Sequence, residues 1–133
     1  MDRPFSKYMN RLFEWFCSTV PDREKERTRE TCDRVKDRYV KEKEGTMASP
    51  EVLSCAIFYA VTRRRREKME FFAYPMHVTC IAGKDRSRRD SIINGTWTTK
   101  RLTELAITDF SGIGIDTLRR CIKDVRRIIA FEA

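Results

Sequence analysis

The sequence predicts an α+β fold: one mainly helical, compact domain of about five helices, with a small antiparallel β element inserted between the third and fourth. Three observations carry that expectation. Apolar residues recur at helical spacing in several stretches, the clearest being 5–18 and 116–131. Between Met69 and Ala82 the period changes to two. Asn94-Gly95 then stands between short apolar runs, where it suits a type I′ hairpin turn. At 133 residues, 41% of them apolar, the chain is long enough for one core and too short for two ordinary domains.

The elements follow in order. In the first helix, 5–18, Phe5, Tyr8, Met9, Leu12, Phe13 and Phe16 share one side, while Lys7, Asn10, Arg11 and Glu14 take the other. Pro4 suits the first turn, and Trp15 lies off the main stripe. This aromatic face reads as core-facing; a self-association face is the alternative. A second helix is expected from near Thr19, with its hydroxyl as cap, Pro21 in the first turn and Asp22 at the third position, running to Glu44 and stopping at Gly45. Of residues 23–44, 16 of 22 are charged, and the apolar stripe is thin: Cys32, Val35, Tyr39 and Val40. Pairs such as Glu30–Arg34 and Asp37–Lys41 support such a helix by about 0.2–0.5 kcal/mol each. Its near-zero charge balance makes it a solvated face rather than a phosphate-binding one.

Ser49-Pro50-Glu51 restarts the chain with a capping serine and a proline at the first helical position. Residues 52–61 are apolar nearly all round, which predicts a central buried helix over 50–62. After Arg63–Lys68, Met69, Phe71 and Ala73 alternate with Glu70, Phe72 and Tyr74, and beyond Pro75 a second alternation runs from Met76 to Ala82. Those runs predict one or two strands, and Ile92–Trp97 a hairpin. Two helices close the chain, 99–109 and 116–131. The last places Leu118, Cys121, Ile122, Val125, Ile128 and Ile129 on one face and Arg119, Arg120, Lys123, Arg126 and Arg127 on the other, with Asp116 as its expected cap. The core is expected from helices 5–18, 50–62 and 116–131.

A net charge of +8 and a pI near 9.5 favour polyanionic partners. The domain divides unevenly: residues 1–45 carry 12 basic and 10 acidic side chains (+2), residues 46–133 carry 16 and 10 (+6). The five cysteines, 17, 32, 55, 80 and 121, are widely spaced with no Cys-x-x-Cys pair, which predicts reduced core thiols rather than a zinc site. Neither a signal-peptide stretch nor a run of membrane-spanning length is visible, so a cytoplasmic or nuclear location is expected.

Catalytic machinery is not expected. The single histidine, His77, sits in an expected strand among apolar neighbours, and no Gly-x-Ser-x-Gly or phosphate-loop pattern occurs. No metal or other cofactor is implied.

Three basic features carry the functional expectation. The first is Arg63, Arg64, Arg65, Arg66 and Lys68, either a phosphate-binding edge or a nuclear-import signal. The second is Lys84, Arg86, Arg88 and Arg89 in a loop, where arginines suit bidentate phosphate contacts. Residues 62–101 hold 11 basic and 4 acidic side chains, interleaved with Phe71, Phe72, Tyr74 and Trp97, aromatics that can stack on unpaired bases. The third is the run from Ile107 to Ile122, with Ser111-Gly112-Ile113-Gly114 at its centre and Arg119, Arg120 and Lys123 following.

This run resembles a helix-hairpin-helix motif, in which a helix ends at a Gly-hydrophobic-Gly hairpin and a second helix begins at once. The resemblance covers about 16 residues and implies sequence-independent grip on a DNA backbone. Gly112, Ile113 and Gly114 would supply N–H groups, and Arg119, Arg120 and Lys123 would add charge. Ser111 stands where that family has proline, and Leu118 where it has a small residue. Non-enzymatic binding of RNA or DNA through its backbone is therefore the expected function. A protein-interaction or assembly module, with homo-oligomer or partner contacts through the aromatic first helix, is the alternative. A basic membrane-surface protein of matrix type is the second.

Overall fold

A computed structural model of the chain describes residues 3–17, 20–43, 45–66, 107–108 and 110–132. Four long helices order these residues: α1 (Arg3–Phe16), α2 (Asp22–Glu42), α3 (Pro50–Arg66) and α4 (Ile115–Glu132). No strand occurs among the described residues, and the described architecture is all-helical, which overturns the α+β class and its β element. The physical reason lies in the described segments, where apolar residues at helical spacing, or all round as in 52–61, are buried as helices. Residues 69–82, the 92–97 hairpin and the 99–106 part of the expected fourth helix lie outside the described residues.

α3 is the centre of the fold. From Leu53 to Thr62 every residue is buried, as its all-round apolar composition demands. Ser49 starts it: its carbonyl accepts the Leu53 N–H at 2.8 Å, its hydroxyl lies 3.4 Å from the Val52 N–H, and Pro50 takes the first helical position. Burying Ser54 and Thr62 requires partners for their hydroxyls. Each donates to its own helix, Ser54 to the Glu51 carbonyl at 2.8 Å and Thr62 to that of Phe58 at 2.6 Å.

The other helices pack around it. Phe58 receives Phe13 edge-on at 5.1 Å and Phe16 at 5.9 Å, so the aromatic face of α1 is spent on the core. Burial of each such ring contributes about 1.5–3 kcal/mol. α4 lays Leu118, Cys121, Ile122, Val125, Ile128 and Ile129 into the same cluster.

α2 joins that core too, which enlarges the expected three-helix set to four. Its buried line is Thr28, Cys32, Val35 and Tyr39; Val40, expected in the stripe, is 46% exposed. The start also differs from expectation. Val20 is buried and donates its N–H to the Cys17 carbonyl at 3.1 Å. As the residue before Pro21 it is disfavoured from helical conformation, so the helix waits until Asp22, with Pro21 as an N-cap that makes no side-chain bond. It ends at Glu42 rather than reaching Gly45, because Lys43 is already extended (ψ 119°). Tyr39 then ties down the connection to α3, its hydroxyl accepting the Ala48 N–H at 3.0 Å.

Candidate nucleic-acid interface

The hairpin ahead of α4 is built from its own backbone. Residues 107, 108, 110 and 111 are helical, and the run closes at Gly112, whose φ of +77° is the left-handed conformation that glycine adopts without penalty. The Gly112 N–H donates to the Thr108 carbonyl at 2.7 Å. Ser111 donates its hydroxyl to the Ile107 carbonyl at 2.7 Å and lies 3.5 Å from the Ile113 N–H. A hydroxyl thus bridges the turn at the position of the expected proline. Ile113 packs against the core while Gly112 and Gly114 stay exposed.

The Gly114 carbonyl accepts the Leu118 N–H at 3.0 Å, so α4 is capped at Gly114 and Asp116 sits inside the first turn, not at the cap as expected. Leu118 is fully buried and fills the space between helices. The first N–H groups of α4 have no carbonyl of their own helix to meet, a general property of helix starts.

From there α4 presents a basic arc. Arg119, Arg120, Lys123, Arg126 and Arg127 are all exposed, opposite the buried apolar face. Against these five cations the helix carries three acids, Asp116, Asp124 and, at its last position, Glu132. Asp124 is itself engaged, at 2.9 Å from Lys43 and 3.3 Å from Arg127. The hydrogen bond to Asp124 holds the Lys43 ammonium above the ordinary lysine range, against a smaller lowering by desolvation. The Arg126 guanidinium lies 5.9 Å from the Tyr59 ring, which supports its stem against α3.

α2 is the contrasting surface. Its cations meet its own carboxylates, in Lys25–Asp22, Arg27–Glu24, Arg29–Asp33 and Arg38–Glu42. A face so matched offers little net field to a polyanion.

The three basic features are therefore treated unequally. Gly112, Ile113 and Gly114 share one continuous stretch with Arg119, Arg120 and Lys123. Arg63–Arg66 form the final turn of α3. Cys55 borders the same space as Phe110 and Ser111, just ahead of α4, and Tyr59 lies 5.9 Å from Arg126 further along it, so α3 and α4 run in the same general direction. The arginine end of α3 is thereby placed toward the end of α4, away from the hairpin. Lys68, Lys84, Arg86, Arg88 and Arg89 lie outside the described residues.

One feature escaped the sequence. A cleft of about 380 Å³ opens between α1, the start of α3 and residues 110–111, lined among others by Tyr8, Arg11, Glu14, Trp15, Glu51 and Phe110. Trp15, 39% exposed, stacks on Phe110 with centroids 5.3 Å apart and planes 22° from parallel. The one hint was the place of Trp15 off the apolar stripe of α1. Cys55 also borders this cleft, but burial pushes its thiol up to about 12, which makes it a poor nucleophile. Among the described residues no three His, Cys, Asp or Glu side chains gather as a metal site would need, and no helix is long and apolar enough to cross a membrane. Comparison with known proteins gives no match to this chain, whether with family models, curated sequences or solved structures.

Proposed function

We propose that the protein binds nucleic acid without catalysis, holding the phosphate backbone along the exposed face of α4. The observation that carries this reading is the division of that helix: six apolar side chains in the core, and Arg119, Arg120, Lys123, Arg126 and Arg127 together on the opposite side. Arg120 and Lys123 have no carboxylate partner among the described residues. Phosphates spaced along a strand would meet these cations in succession and release their counterions. The glycine hairpin sits at the start of the same helix, where peptide N–H groups favour an anion. The apolar side of α4 is already buried, which favours a backbone-gripping role over insertion into a lipid surface.

The test is fluorescence anisotropy of the purified chain with single-stranded RNA, single-stranded DNA and duplex DNA across a salt series, with anionic vesicles as the competing polyanion. The expected result is a fall of log K with log salt, about 0.7–0.9 per phosphate neutralised, weakened by Arg119→Ala, Arg120→Ala and Lys123→Ala. Absence of binding to all three at low salt, or vesicle binding alone, overturns the reading.

A further inference from the structure

We propose that the cleft beside Trp15 takes one unpaired base of a single strand, and that its chemistry selects guanine. This rests on the nucleic-acid reading and adds to it a site off the α4 face. Three kinds of lining group converge there. Trp15 offers an aromatic surface that remains partly exposed while Phe110 fixes it from one side at 5.3 Å. Stacking on such a platform accepts any base.

The discrimination comes from the carboxylates. Glu14 and Glu51 line the cleft, and neither has an ion-pair partner among the described residues. A carboxylate only accepts hydrogen bonds. Uracil and thymine set two carbonyls beside their single ring N–H, which such a wall repels. Adenine and cytosine each offer an amino group next to a ring nitrogen that is itself an acceptor. Guanine alone presents two adjacent donors, N1–H and the N2 amino group, at the spacing of the two oxygens of one carboxylate. Glu51, half-buried in the first turn of α3, is placed to be that acceptor, with the exposed Glu14 at the rim. Arg11 lines the same cleft and would meet the nucleotide's phosphate.

The position suits a splayed strand. Phe110 and Ser111 form one wall of the cleft, and Gly112 follows them into the hairpin that starts α4. The first residue of α4, Ile115, thus follows the cleft wall by four positions in the chain.

The experiment uses the full chain and three labelled oligoribonucleotides: all uridine, the same with one central guanosine, and the same with inosine, which keeps N1–H and lacks the amino group. Calorimetry with guanosine and uridine monophosphates runs beside it. The guanosine oligonucleotide is expected to bind roughly tenfold tighter than all-uridine, with inosine between. Glu51→Gln and Trp15→Leu should erase the difference and leave the salt slope unchanged, with helicity checked by circular dichroism. Equal affinity for all three oligonucleotides, with the salt dependence intact, overturns the base site and spares the backbone reading. A guanosine preference that survives in the Glu14→Gln/Glu51→Gln variant also overturns it. Guanosine monophosphate binding without any oligonucleotide binding would uphold the cleft and sink the backbone reading. Failure of every ligand would sink both.

Discussion

Lys43, just past the end of α2, and Asp124, in the middle of α4, form a 2.9 Å ion pair between positions 81 residues apart. It joins two different helical regions, unlike the local pairs Lys25–Asp22, Arg29–Asp33 and Arg38–Glu42 within α2. The hydrogen bond to Asp124 raises the Lys43 pKa above its ordinary value. A raised lysine pKa in the folded state stabilises fully below the ordinary lysine value, and that contribution is lost as pH rises through the elevated one. Lys43→Met should therefore lower Tm at neutral pH. The gap between variant and wild type should close in strongly alkaline buffer. Equal Tm values at pH 7 would show that the pair contributes nothing.

Gly112 has a φ of +77°, and a Cβ built there would meet no atom within 4 Å. The cost of a side chain is thus conformational, not steric. Gly112→Ala should lose about 1–2 kcal/mol, and Gly112→Asn less, because asparagine tolerates the left-handed region. At Gly114 the nearest atom would be the Thr117 hydroxyl oxygen at 3.8 Å, with no positive φ, so Gly114→Ala should be the mildest of the three. Urea unfolding of the set checks the order.

These elements were not equally legible. α1, α3 and α4 stood out because their apolar residues repeat at 3.6 or cover the helix all round, and burial dominates such segments. The start of α2 is less legible, because Thr19 offers a cap while Pro21 biases Val20 away from helix, and the second effect prevails. Val40 is exposed because Cys32, Val35 and Tyr39 already complete a line one side chain wide. The basic face of α4 was readable for the same reason as its apolar face. The cleft was not: Tyr8, Trp15, Glu51 and Phe110 come from three separate stretches, and only packing brings them together.

Phe58 is fully buried and receives both Phe13 and Phe16. Phe58→Ala removes the ring on which α1 closes, at a cost of about 3–5 kcal/mol. Phe58→Leu keeps most of the volume and should cost clearly less. Denaturant midpoints at constant m-value measure both.

Cys17, Cys55 and Cys121 are buried, and desolvation pushes their thiols up to about 12, about 12 and about 11. In a Cys80→Ser background the native protein should react with a thiol reagent only as fast as it unfolds. The sign of the linkage is opposite to that of a depressed carboxylate. The neutral thiol fits the fold, so this contribution is complete below the ordinary thiol value of about 9 and falls as pH rises through the elevated ones. Rapid labelling in folding buffer at pH 8 would contradict the burial.

Two helices of the chain carry their cations in opposite ways. Arg38 of α2 is paired with Glu42 at 3.1 Å, while Arg120 and Lys123 of α4 face outward with no described acid partner. Removing a phosphate contact should reduce the salt slope by about 0.7–0.9 per residue. Arg120→Ala and Lys123→Ala should each do so, and together they should weaken binding by more than either alone. Arg38→Ala removes the same formal charge and should leave the slope in place, because its field is already cancelled by Glu42. Equal losses at all three positions would mean that total charge, and not the α4 face, governs binding.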